Sequence, residues 1–151
     1  MAKKIGSELV KELKDALDIL ESPEFMKQLG EFVKKGILDR TKAGVGVDNP
    51  GGNRKPLKPL SPAYVEQRKR MKLAKDTSPG KSNLTQTGKM LKDLTVISTK
   101  AKTAVDFKND ESKTKAKHNE DNGRPFAYVD KEQIKEVEAI VQAKLEELLK
   151  K

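Results

Sequence analysis

The sequence predicts an α+β fold, a small antiparallel β-sheet covered by N-terminal and C-terminal amphipathic helices, with long polar loops. Apolar residues recur at helical spacing near both ends of the chain, and between them the period drops to two. That change falls between Leu84 and Phe107, where Leu91, Leu94, Val96 and Ile97 lead across Lys100, Ala101 and Lys102 into Val105 and Phe107. Thr103, Val105 and Phe107 share one side of the second arm, and Ala104, Asp106 and Lys108 share the other. A hairpin is therefore expected at about 91–108. Its first arm is apolar on both faces, one for a helix and one for a neighbouring chain. With no Gly or Asn for a tight primed turn, its arms should be joined by three or more residues rather than two.

In chain order, Ile5, Leu9, Leu13, Ala16, Leu17 and Leu20 predict a first helix from about Ser7 to Glu21. Ser22 before Pro23 is a helix start, because a serine cap accepts a free N–H and proline lacks the N–H that would go unpaired. The second helix buries Phe25, Leu29, Phe32, Val33 and Ile37 and ends near Ala43 to Gly46. Residues 44–60 read as a flexible loop, with turn chemistry at Asp48-Asn49-Pro50-Gly51-Gly52 and Pro56, Pro59 and Pro62 holding the chain extended. Ser61-Pro62 repeats the capped start and opens a short basic helix carrying Tyr64, Val65, Met71 and Leu73. Further loops are expected at 75–83 and 108–123, the second almost without apolar residues. Asp130 caps the last helix and Gln133 completes a capping box. Ile134, Val137, Val141, Leu145 and Leu148 form its buried face, with the hairpin as platform.

A chain of 151 residues is expected to form one domain. Hydrophobic residues are 34% and charged residues 36%, so the core is thin and apolar surface is left for copies or partners. There are no cysteines, which excludes disulfides, thiolate metal sites and cysteine nucleophiles. His118 is the single histidine, excluding any site built on two. No stretch resembles a signal peptide or a membrane span, so synthesis in a cytoplasm is expected and the sequon Asn83-Leu84-Thr85 should stay unmodified.

Catalysis has no sequence support. Gly80-Lys81-Ser82 resembles the end of a phosphate-binding loop, but Lys75 stands where the first glycine belongs and Pro79 removes a donor. His118 lies beside Asn119, Glu120 and Asp121 on a polar stretch, which suits surface hydrogen bonding better than proton transfer. No enzyme activity, cofactor or metal is expected. The formal charge of +9 and the cluster Arg54, Lys55, Lys58, Arg68, Lys69, Arg70, Lys72 and Lys75 could track a phosphate backbone. With Tyr64 as its only aromatic, the cluster offers no stacking platform, so a charged rim or a docking surface for an acidic partner is preferred. The two PxxP spacings within Pro56–Pro62 read as a stiff connector.

The punctuation of the chain, taken in order, is the most informative pattern. Asp48, Pro50 and Gly51 come first, then Leu57, Leu60, Ser61 and Tyr64, then Leu84, Thr87 and Gly88. His118 and Asn119 follow, then Gly123, Arg124, Pro125 and Phe126, then a terminal helix. From about residue 20 onward this resembles the virion-morphogenesis family of tailed bacteriophages, the small neck and tail-completion proteins. The resemblance implies an α+β protomer forming a ring at the head-tail junction, in the virion and, during assembly, in the host cytoplasm. Its partners would be its own copies and neighbouring connector or tail proteins, with no membrane and at most non-specific DNA contact. Gly88 would serve as a helix-to-strand hinge, and Arg124-Pro125-Phe126 would present a fork of donors beside an aromatic anchor. A basic nucleic-acid-binding protein without enzymatic activity is the alternative.

Overall fold

A computed structural model describes residues 2–75, 77–85 and 88–150, with side chains from Gly6 onward. The elements are α1 (Ala2–Leu20), α2 (Pro23–Lys42), β1 (Val45–Val47), β2 (Arg54–Pro56), α3 (Pro62–Arg68), α4 (Lys89–Lys92), β3 (Leu94–Thr99), β4 (Lys102–Phe107), α5 (Asp110–Asp121) and α6 (Lys131–Leu149). The fold is α+β, with two separate two-stranded antiparallel sheets, β1-β2 and β3-β4. Among the described residues no helix is long and apolar enough to cross a membrane.

The hairpin β3-β4 is the platform. Leu94 pairs with Phe107, Val96 with Val105 and Ser98 with Thr103, which puts these six side chains on one face. Against that face lies α2, brought close at Gly30, where an added Cβ would stand 2.4 Å from Thr103 Oγ1 and from Val96 Cγ1. Val33 and Ile37 then join Leu57, Met90, Leu91, Leu94, Phe107 and Phe126 in one core. Phe126 meets Phe107 edge-on, with ring centroids 6.2 Å apart and planes at 64°. The opposite face leaves Ile97 55% exposed.

Several expectations are corrected. The arms are joined by two residues, Lys100 and Ala101, because Thr99 already pairs with Lys102. Ala101 takes φ 59, and its N–H donates to Glu21 O at 2.7 Å, so a tertiary contact holds a conformation that alanine disfavours. Residues 108–123 carry α5 rather than a loop. Asn109 caps it through Ser112 N at 2.9 Å. Ser112 Oγ donates to Asp93 Oδ2 at 2.5 Å, and Lys115 reaches Glu111 at 2.7 Å one turn apart. Within 44–60, Val45–Val47 pairs with Arg54–Pro56 across the Asp48–Gly52 turn, so that segment is a ribbon, and only the remainder is loop. The hairpin receives α2, whereas α6 packs on α1 and α2. Of its expected buried face, Ile134 is 40% exposed and the other four are only partly covered.

The capped starts are present. Ser22 Oγ accepts from Phe25 N at 3.3 Å and Ser61 Oγ from Tyr64 N at 3.3 Å. Met71 and Leu73 lie past the end of α3, which stops at Arg68.

Candidate functional site

A buried polar cluster joins α2 to the start of α6. Asp130 is fully buried and closes the capping box with Gln133, its Oδ1 accepting from Gln133 N at 2.8 Å. The same carboxylate accepts from Arg40 Nη1 at 2.6 Å and Arg54 Nε at 3.0 Å. Arg40 also donates to Gln133 Oε1 at 2.7 Å, Phe126 O at 2.7 Å and Tyr128 O. Burial alone would push the Asp130 carboxyl up; the Gln133 N–H and the two guanidinium groups outweigh it and hold the carboxyl below its ordinary value. Burial lowers Arg40 against the pull of Asp130, yet an arginine stays charged at any ordinary pH. The cluster ties α2 to the start of α6. The sequence reading took Asp130 only as a cap. The missed signal was Arg40, which continues the Val33, Ile37 buried stripe of α2 and therefore needed a counter-charge.

The family-like motif residues fall into two groups. The first builds the protomer. Leu57 is buried beside Phe126, which is 2% exposed, so the aromatic anchor faces the chain's own core. Pro125 O accepts from Val47 N at 3.1 Å, and Gly51 N donates to Val129 O at 2.7 Å, docking the ribbon against the start of α6. Asp48 pairs with Lys55, while Pro50 lies exposed in the turn. The Arg124 fork points inward, donating through Nε to Lys58 O and through Nη2 to Pro59 O, both at 3.1 Å.

The second group lines a cleft of about 370 Å³ between α3 and α5. Leu60, Tyr64, Leu84, Gly88, His118 and Asn119 meet there, with Arg124 at its border. Gly88, at φ 81, is the N-cap of α4, so it stands before that short helix rather than between helix and strand. Gly123 lies just past the end of α5, and Ser61 caps α3. Thr87 lies outside the described residues.

The basic cluster does not form one patch. Arg68 is 3% exposed and points inward; Arg54 is committed to Asp130, Lys55 to Asp48, and Lys69 to Glu66 at 2.5 Å. Arg70 and Lys72 remain exposed. Gly80-Lys81-Ser82 sits in a loop with neither a strand before it nor a helix directly after it, and Ser82 Oγ donates to Lys58 O at 2.6 Å. That is no phosphate cradle. His118 stands exposed on the last turn of α5, and Glu120 is taken by the Tyr128 hydroxyl. Among the described residues no group of three or more His, Cys, Asp or Glu could hold a metal ion.

Five exposed large apolar side chains, Leu9, Val10, Leu13, Leu17 and Ile19, lie on α1. Its Ala16 is buried, but Leu9, Val10, Leu13 and Leu17 are 46–53% exposed. Compared with protein-family models, with curated proteins and with solved structures, the chain matches none.

Proposed function

We propose that the chain is a non-enzymatic structural subunit of a tailed bacteriophage, a neck or tail-completion protein whose copies form a ring at the head-tail junction. The apolar face of α1 carries this reading. A 19-residue helix with four large apolar side chains half in water is shaped to be covered by another surface. The chain holds a complementary surface as well: a groove of about 300 Å³ between α2, β4 and α6, walled by Val33, Ile37, Val105, Val129, Ile134 and Val137. Stripe and groove are different patches, so copies joined through them stack head to tail, and a closing rotation gives a ring. Covering four half-exposed side chains contributes roughly 3–6 kcal/mol, against an association cost of roughly 4–15 kcal/mol. Free copies are therefore monomeric at micromolar concentration and gather only on a partner in the particle.

Deleting the gene from the phage should leave heads and tails unjoined in negative-stain micrographs. Complementation with the wild-type chain should restore joined particles, and complementation with the Leu13→Asp, Leu17→Asp double variant should not. Both substituted positions are half exposed, so the variant should match wild type in circular dichroism and thermal unfolding. Joined, infectious particles from the deletion would overturn the proposal.

A further inference from the structure

We propose that the cleft between α3 and α5 binds an acidic peptide segment of a neighbouring protein, taking its carboxylates among Arg68, Lys115, His118 and Arg124 and an apolar side chain against Tyr64 and Met90. Among the described residues no acidic side chain lines the cleft. What singles it out is how its two guanidinium groups are held. Arg40 and Arg54 each meet the carboxylate of Asp130. Arg68, by contrast, donates among the described residues to neutral oxygens alone: Thr77 Oγ1 at 3.3 Å, Ser78 O at 3.2 Å and Thr85 O at 3.2 Å. Its Nε has no hydrogen-bond partner. Among the described residues no ion pair includes it, although it is 3% exposed. Arg124 likewise rests on two carbonyls.

A guanidinium withdrawn from water without a counter-charge leaves an unbalanced positive field in the surrounding low-dielectric wall. That field opens into a cavity of about 370 Å³, room for a few side chains. A phosphate backbone brings charge alone to a wall that sets Arg68 and Lys115 beside Tyr64 and Met90, whereas an extended peptide offers a carboxylate and an apolar side chain together. The Tyr64 ring, with the Arg68 guanidinium 5.8 Å from its centroid, orients the charge and supplies apolar contact. Lys115 and His118, both exposed on α5, form the outer lip; Lys115 is shared with Glu111. The peptide's source in a neighbouring particle protein rests on the assembly reading; binding of acidic peptide to the isolated chain does not.

The test is fluorescence polarisation of the full chain with a labelled peptide of alternating leucine and glutamate. Its leucine and glutamine counterpart and a single-stranded oligonucleotide of equal length serve as comparisons. The acidic peptide should bind about tenfold more tightly than the glutamine peptide and the oligonucleotide, and weaken severalfold as salt rises from about 0.05 to 0.3 M. The double variant Lys115→Gln, His118→Gln, at two exposed positions, removes the lip's positive charge without setting like charges one turn apart, and should lose severalfold while its circular dichroism is unchanged. Arg68→Gln tests the buried charge; if it unfolds, the lip variant still decides. Equal binding of acidic and glutamine peptides, indifference to the lip variant, or tighter binding of the oligonucleotide would each overturn the proposal. Particle joining is read separately by micrographs, so failure of peptide binding and failure of the assembly reading are told apart.

Discussion

Replacing Asp130 with alanine should remove more stability than any other single change outside the apolar core. The carboxylate is fully buried and accepts from Arg40, Arg54 and Gln133. Alanine removes a helix cap, which costs about 1 kcal/mol, and strands Arg40, 6% exposed, without its counter-charge. Breaking a buried pair from one side costs about 3–5 kcal/mol. The two losses overlap, so about 4 kcal/mol is expected, out of the roughly 5–15 kcal/mol typical of a domain. Asp130→Asn keeps an oxygen for the cap and loses the charge, so it should cost about 3 kcal/mol. Urea unfolding followed by circular dichroism measures this: with a slope near 2 kcal/mol/M, the midpoint for alanine should drop by about 2 M. The carboxyl is held below its ordinary value of 3.8, so its stabilisation is present above about pH 4 and lost as pH falls through the lower folded-state value. The wild type should therefore lose stability steeply below about pH 4, and Asp130→Asn should show a flatter profile there. A loss below about 1 kcal/mol for Asp130→Ala would refute the placement of Arg40 against this carboxylate.

Two further changes probe the platform. Gly30→Val should cost about 2–3 kcal/mol by driving side-chain atoms into Val96 and Thr103, and Val96→Ala in the same chain should recover part of it in urea unfolding. Ala101→Gly should add about 0.5 kcal/mol, since glycine accepts the positive φ with less strain but loses more freedom on folding. A lower melting temperature for that variant would count against the two-residue turn.

Cap chemistry was the most legible part of the sequence, because Ser22-Pro23, Ser61-Pro62 and Asp130 with Gln133 are local devices that need no knowledge of the rest of the fold. The alternation of Thr103, Val105 and Phe107 identified the hairpin's inner face for the same reason. The helix α5 escaped notice because it has almost no apolar stripe; polarity was read as loop, whereas Asn109, Asp110, Glu111 and Lys115 formed a cap, an acidic first turn and an ion pair. The ribbon β1-β2 was too short for a period to register. That α2 rather than α6 lies on the hairpin depends on the close approach at Gly30, a fact of three dimensions. Of the candidate site, the order of motifs named most of the cleft lining, but not that Arg68 turns into it, because a run of basic residues looks the same whether its members face water or the interior.

The bond from Ala101 N–H to Glu21 O ties the tip of the hairpin to the elbow where α1 leaves α2. Any swing of α1 about that elbow therefore pulls on the closed end of the β3-β4 strands, and the pull is carried along their ladder to the pair Leu94 and Phe107 at the far end, inside the core.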